Sequence, residues 1–391
     1  MQERLLEVKP AAADLWIQAV SVGEAFLAWE LVKNLDPEQP LRILITTNTN
    51  QGMEILDKIS SEVIRNKPNL TLQTAYVPFD KPSLMAKALE AIRPKVMVLL
   101  ESEIWPGLLQ SCKKNNTKIL IINGRMTAKS LKRYSIWPSF WKHLRPDLIL
   151  AMSSDDAARF ATLFGIDRVQ TMHNIKFDRI TDTQQTEDPD NPLTRLIPPD
   201  EKFIVLGSVR KEEEPDITKL ICHIKQKNGR VIIGIFPRHM HRLESWKKIL
   251  TDHSLPWLLR SQAQTEIAPG SIILMDTMGE LSFGYKLAGA AFVGGSLAPL
   301  GGQNFLEPLT CGLQPVIGPH WSNFFWIGQE IIDQKLVDQQ QDWLAVSEAL
   351  LEKIDKPLWR EETRKAIMNY VENRRGGSVQ ACKAIKDLLK D

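Results

Sequence analysis

Residues 15–26 read LWIQAVSVGEAF. The run from Leu15 to Val22 has the length and apolarity of a buried strand, and Gly23 and Glu24 separate it from a helical pattern over Ala25–Leu35. The same step recurs down the chain. Further strands are predicted at Leu41–Thr46, Leu72–Val77, Val96–Leu100, Ile119–Asn123 and Leu148–Ala151, with helices at Gly52–Ser60, Pro82–Ala91 and Gly107–Lys113 between them. Beyond residue 201 the pattern starts again, with strands at Phe203–Leu206, Val231–Phe236, Ser271–Met275, Ala290–Val293 and Pro315–Ile317. A βαβα rhythm implies parallel sheets covered by helices on both faces, because each crossover must run over the sheet.

The chain has 391 residues, too many for one ordinary domain, so two are expected. Residues 1–180 form the first and 202–358 the second. Residues 181–201, rich in Asp, Gln, Thr and Pro, read as a linker, and 359–391 as charged helices that pack back toward the first domain. A net charge of +2 excludes a polyelectrolyte, so any basic surface must be local. The four cysteines, Cys112, Cys222, Cys311 and Cys382, form no CxxC pair, which argues against a zinc site. They read as reduced, with Cys222 and Cys311 buried, as in a cytosolic protein.

Ligands of doubly wound sheets bind at the carboxyl ends of the strands, so those ends matter most. In the second half they suit anions. FVGGSLAPLGGQNFLEP (292–308) follows a strand with two glycine pairs and opens a helix near Asn304. The amides around Gly294, Gly295 and Ser296 are expected near a phosphate, and Glu307 near sugar hydroxyls. Arg238 and His239 follow a second strand, Met278-Gly279-Glu280 a third, and Ser208 with Arg210 a fourth. In the first half the strand ends carry acids and amides instead: Glu24, Thr47 with Asn48, Glu101 with Glu103, and Asn123 with Arg125. An ion pair of Glu101 or Glu103 with Arg125 or another base is the plain structural alternative. Asp188-Pro189-Asp190 spells DxD but lies in the polar linker, so no metal site is expected from it. Residues 125–145, RMTAKSLKRYSIWPSFWKHLR, hold basic residues and no acid. Lys129, Lys132, Arg133 and Lys142 with Trp137, Phe140 and Trp141 read as an anionic membrane contact. No nucleic-acid module is recognisable, so nucleic acid is not expected as a partner.

The ordered set WIQAVSVGE (16–24), ITTNTNQG (45–52), VPFD (77–80), ESEIWP (101–106), NGRMTAKSLKRY (123–134), NIKFD (174–178), PRH (237–239), DTMGEL (276–281), FVGGSLAPLGGQNFLEP (292–308) and GPHWSNF (318–324) resembles the Kdo transferase family, which adds 3-deoxy-D-manno-oct-2-ulosonic acid (Kdo) to lipid A precursors. The resemblance covers most of the chain. It implies a GT-B fold, with two Rossmann-like doubly wound α/β domains facing across a cleft. It also implies inverting transfer from CMP-Kdo without a cofactor or metal. Carried over residue by residue, Glu24 is the general base. Arg238 with His239, Met278, Gly279, Glu280, Asn304 and Glu307 holds the CMP moiety, and Ser208, Gly294, Gly295 and Ser296 lie near its phosphate or sugar. Ser21, Gly23, Thr47, Glu101, Asn123 and Arg125 line the acceptor side, where the lipid A precursor (lipid IVA) binds. Family members begin with an anchoring apolar helix. Attachment to the inner face of the cytoplasmic membrane is therefore expected to be peripheral, or through a segment trimmed from this chain. The residues alone leave two other readings open: a GT-B glycosyltransferase or epimerase using a UDP-sugar, and a membrane-associated nucleotide-binding protein without catalysis.

Overall fold

The structure is a computed structural model and describes residues 2–181, 191–356 and 358–390. The DxD stretch at 188–190 lies outside the described residues. The fold separates into two units, Met1–Ile180 with Glu372–Asp391, and Thr181–Val371.

The first unit holds seven strands: β1 (Leu15–Gln18), β2 (Leu41–Thr47), β3 (Leu70–Tyr76), β4 (Val96–Leu100), β5 (Lys118–Gly124), β6 (Leu148–Ala151) and β7 (Val169–Thr171). All pairings are parallel, in the order β3-β2-β1-β4-β5-β6-β7. Strand β4, VMVLL, is buried at every residue, as expected for a strand with helices on both faces. Leu15, Ile17, Ile43, Ile45 and Val98 point to one face, under the helices Val22–Asn34 and Asn50–Asn66. Trp16, Leu44, Met97 and Leu99 point to the other, under Pro82–Ile92 and Pro106–Lys114. The last two helices start with Pro at their first position, where no N–H is needed.

The second unit repeats the plan with β8 (Phe203–Val209), β9 (Ile232–Pro237), β10 (Trp257–Leu259), β11 (Ile272–Leu274), β12 (Ala290–Val293), β13 (Pro315–Ile317) and β14 (Asp338–Gln339). The order is β10-β11-β9-β8-β12-β13-β14, again parallel. In each sheet the strand order reverses beside the first strand, between β1 and β4 and between β8 and β12. Those two points are where this architecture opens a crevice.

Several boundaries differ from the sequence expectation. Strand β1 stops at Gln18 rather than Val22, because Ser21 caps a helix that begins at Val22. Part of the expected linker is not free chain: Leu193, Leu196 and Ile197 are buried in the second unit, and Ile267 N–H donates to the Leu196 carbonyl at 2.8 Å. The C-terminal helices divide, with Arg360–Glu372 largely in the second unit and Gly377–Lys390 in the first. The final helix packs Ala381, Cys382 and Ile385 into the core over β1 and β4. A Cβ at Gly377 would sit 2.1 Å from the His173 carbonyl oxygen, so only glycine permits that approach. All four cysteines are free thiols; Cys112 and Cys382 are buried, whereas Cys222 and Cys311 are half-buried rather than buried. Among the described residues no helix is long and apolar enough to cross a membrane.

Asp178 caps this final helix, accepting from Gly376 N–H at 2.7 Å and Ser378 N–H at 2.6 Å. Asp178→Ala is expected to cost about 1–2 kcal/mol locally. Hydrogen exchange should then accelerate across Gly377–Lys390 while β1 and β4 keep their protection; unchanged exchange in that helix contradicts the assignment.

Candidate active site

In the first unit the site is built around the turn that follows β1. Ser21 is the N-cap, its Oγ accepting from Glu24 N–H at 3.3 Å. The Glu24 carboxylate folds back, and its Oε2 accepts from Val20 N–H at 2.6 Å. Ser21-x-x-Glu24 thus has the spacing and reciprocal bonding of a capping box, displaced by one residue. The Glu24 residue is only 6% exposed. Burial pushes its carboxyl up to about 7; the charge of Glu103, and less so of Glu101, adds to this, while the bonds from Val20 and Ser21 oppose it. A helix N-terminus by itself favours an ionised carboxylate, but desolvation and two neighbouring acids outweigh it here. Gly23 is exposed, and a Cβ there would meet nothing nearer than Ser21 Oγ at 3.8 Å. Packing therefore does not demand glycine at this point, and the space over the turn is open.

Glu101 and Glu103 follow β4, across the switch point from Glu24. Glu101 forms an ion pair, with Lys176 at 2.7 Å rather than with Arg125. Glu103 accepts from Trp105 Nε1 at 2.6 Å, and burial raises its carboxyl despite that bond. Two expected acceptor residues are internal instead. Thr47 is fully buried beneath the next helix, where a Cβ on Gly52 would approach its Oγ1 to 2.4 Å. Asn123 is fully buried at φ +57°, and its Oδ1 accepts from Ile175 N–H at 3.1 Å. Both serve packing and chain reversal. Arg125 is exposed beside Ser102, Ser130 and Tyr134.

The basic–aromatic segment forms two short helices, Ala128–Tyr134 and Pro138–His143. Lys129, Lys132, Arg133 and Lys142 are exposed, as are Trp137 (71%), Ile136 (69%) and Phe140 (40%). Trp141 is not at the surface. It is buried in the core, with Tyr134 edge-on at 4.8 Å and Phe140 at 5.1 Å, because it lies on the inward face of its helix.

In the second unit the turn after β8 carries the corresponding acid, Glu213. Its carboxylate accepts four backbone N–H groups: Gly295 at 2.6 Å, Ser296 at 2.9 Å, Leu297 at 2.9 Å and Arg210 at 3.1 Å. Burial raises the Glu213 carboxyl and these bonds oppose the rise. The amides of Gly295 and Ser296, expected at a ligand phosphate, are therefore engaged by the protein's own anion. Ser296 is 1% exposed, donating from Oγ to the Val293 carbonyl at 2.6 Å and accepting from Gly318 N–H at 2.9 Å. At Gly294 a Cβ would lie 2.6 Å from the Ser208 carbonyl, so its glycine serves backbone packing. The glycine loop is an internal scaffold, and the free groups stand around it. Ser208, at φ +55°, is half-buried. Arg238 and His239 are exposed after β9, with the His239 and His241 rings stacked at 5.4 Å. Met278 is 79% exposed, and Gly279, at φ +85°, faces open space. The Glu280 carboxylate is already paired with Arg260 Nε at 2.7 Å, leaving the turn's backbone, not that carboxylate, for a ligand. Asn304 is exposed and caps Leu306 N–H at 3.2 Å; Glu307 is half-buried, and burial raises its carboxyl. Among the described residues no group of three or more His, Cys, Asp or Glu is placed to hold a metal ion.

Sequence reasoning gave no role to Glu213 or Lys176. Glu213 carries a visible local signal, an acid three residues after Arg210 at the entry to a helix. Its partners at 295–297 do not. Lys176 lies 75 residues from Glu101 and carries no local signal.

Glu24 titrates near 4.5 in an unfolded chain and near 7 when folded. Between those values the folded state holds more protons, so this group's contribution to stability is lost as pH rises from about 4.5 through 7. Glu24→Gln, whose amide oxygen keeps the Val20 bond, is expected to stabilise the first unit by roughly 2–3 kcal/mol near pH 8 and little near pH 4.5. Urea unfolding at both pH values measures it; equal effects at both contradict a raised carboxyl.

Comparison with known proteins agrees with this architecture. Residues 1–179 match the family model described as 3-deoxy-D-manno-octulosonic-acid transferase (kdotransferase). The chain is 28% identical to the 3-deoxy-D-manno-octulosonic acid transferase of Haemophilus influenzae, covering 97% of this chain and 87% of that one. It is also 29% identical to a bifunctional glycosyltransferase/methyltransferase of Fusobacterium nucleatum, over 82% of this chain but only half the length of that relative. A glycosyltransferase structure from Rickettsia africae superposes with a TM-score of 0.58 at 12% identity, covering 97% of this chain and 99% of that one; the likeness is one of fold, two Rossmann-like domains of the GT-B class. With relatives of one kind matching from end to end and the family model matching its amino-terminal unit, the chain is similar to the 3-deoxy-D-manno-octulosonic-acid transferases along its length, and this likeness supports a glycosyltransferase.

Proposed function

We propose that the protein transfers Kdo from CMP-Kdo to a lipid A precursor (lipid IVA), with inversion at the anomeric carbon and Glu24 as general base. The observation that carries this reading is a buried carboxyl poised near 7 at the switch point of the first sheet, with open space over the adjoining Gly23. A general base works best when its pKa lies near the working pH. In the step proposed, the acceptor hydroxyl oxygen bonds to the anomeric carbon as the bond from that carbon to the phosphate oxygen breaks. Glu24 takes the hydroxyl proton, and CMP leaves with the electron pair. Arg238 offsets the charge that CMP gains, so the residues present are sufficient without a metal. The Met278-Gly279-Glu280 backbone, Asn304 and Glu307 hold the nucleotide, with His239 and Ser208 beside its phosphate. Ser21 and Gly23 border the acceptor. The exposed cations and aromatics of residues 129–142 support peripheral docking on an anionic membrane surface, in keeping with work at the inner face of the cytoplasmic membrane.

Incubation with CMP-Kdo and tetra-acylated lipid A precursor, read by mass, tests donor and acceptor together. Glu24→Gln is expected to lower turnover by roughly 10²–10⁴-fold, leaving CMP-Kdo affinity unchanged. The wild-type rate should rise with pH through a limb near 7, since the base must be deprotonated. Normal transfer by the variant sinks the base assignment. Trp137→Ser with Lys132→Glu should abolish co-sedimentation with vesicles rich in anionic lipid while sparing CMP binding; retained co-sedimentation removes the membrane surface.

A further inference from the structure

The first two strands of the second sheet deliver two arginines side by side. Val209 on β8 is paired in register with Pro237 on β9, and Arg238 N–H donates to the Val209 carbonyl at 2.9 Å. Arg210 and Arg238 are therefore the next residues out on neighbouring parallel strands, at the edge where the sheet opens. The Arg210 guanidinium is only loosely paired: Glu212 Oε2 stands 4.0 Å from Nε, an ion pair beyond hydrogen-bonding distance. Arg210 Nε is buried and donates to nothing within the protein. Among the described residues, Arg238 has no carboxylate partner. The third arginine nearby shows the contrast: Arg242 is held by both oxygens of Glu214, at 2.9 and 2.7 Å. Around the pair stand the stacked rings of His239 and His241, which add no negative charge.

Arg210 is also fixed from behind. Its own N–H is one of the four groups held by the Glu213 carboxylate, and the other three belong to Gly295, Ser296 and Leu297. One buried anion thus locks the backbone of Arg210 to the glycine loop after β12. An arginine with an immobilised backbone, a buried Nε–H that reaches no hydrogen-bond acceptor in the protein and a like-charged neighbour is arranged for a further anion.

One arginine offsets one negative charge. A phosphodiester donor carries a single charge at its phosphate, which leaves the second arginine with only its loose contact to Glu212. The donor proposed above has a second anion, the carboxylate of its sugar acid. We propose that Arg210 binds the carboxylate of an acidic sugar donor while Arg238 takes the phosphate, so that Arg210 selects sugar acids against neutral sugars. The planar guanidinium fork matches a carboxylate edge-on, which an ammonium does not. The inference rests on the CMP-Kdo reading.

Calorimetric titration of the full chain with two probes tests it. CMP-Kdo carries phosphate and carboxylate; the methyl ester of CMP carries the same phosphodiester charge and no carboxylate. Arg210→Met is expected to weaken CMP-Kdo by roughly 30-fold, while CMP methyl ester changes by less than about twofold. Arg210→Lys should recover part of the CMP-Kdo affinity, and it stands in for the Met variant should that one fail to fold. Equal losses for the two probes, or no loss for either, overturn the assignment. A wild-type protein that ignores CMP-Kdo and binds a UDP-hexose instead overturns the donor reading and this inference with it.

Discussion

A carboxylate buried in the first turn after a central strand is the constraint on which both halves of this molecule turn. Glu24 follows β1 and Glu213 follows β8, the strands beside which each sheet reverses its order. Each acid folds back onto its own turn, and each is desolvated. The difference lies in what solvates the charge. Glu213 accepts four amides, three of them from a loop more than 80 residues away, and so ties that loop to the strand end. Glu24 accepts one amide through its carboxylate and faces two further acids. The same placement therefore yields a well-solvated structural anion in one unit and a carboxyl raised to about 7 in the other.

Much of what surrounds these two acids follows from them. With Glu213 in place, the glycine loop keeps its shape by internal bonds, and Gly294 and Ser296 become parts of a scaffold. The amides of that loop are then engaged within the protein, and the cations at the rim, Arg210 and Arg238, lie outside this internal bonding. In the first unit the pairing of Glu101 with Lys176 leaves Glu103 as the stronger charge acting on Glu24. A carboxyl raised by burial is unstable when ionised, a cost the fold bears at the switch point of the first sheet.

The sheet architecture was legible in the sequence because βαβ units write themselves locally. Strand β4 is five apolar residues in a row, Ser21-x-x-Glu24 marks a helix start, and Pro82 and Pro106 mark two more. Pairing across long sequence distances was not legible. The glycine-rich loop looked like a ligand cradle because nothing local reveals that Glu213 already fills it. Thr47 and Asn123 stand at strand ends, where polar residues suggest a site. Only the packing of the next helix over Thr47, and the turn at Ile175 held by Asn123, show them to be internal. Trp141 sits among exposed cations in sequence, yet helical periodicity over six residues is too short to tell its inward face from the outward one of Trp137. Leu193, Leu196 and Ile197 were hidden in a polar stretch whose average composition reads as linker.

The central claim is that burial and neighbouring acids hold Glu24 ready to accept a proton near neutral pH. Carbon-13 NMR titration of the Glu24 side-chain carboxyl, identified by its loss in Glu24→Gln, measures this directly. The account predicts a midpoint near 7, lowered when Glu103 is replaced by Gln. A midpoint at the ordinary value of about 4.5 for an exposed glutamate, unmoved by that replacement, would contradict it.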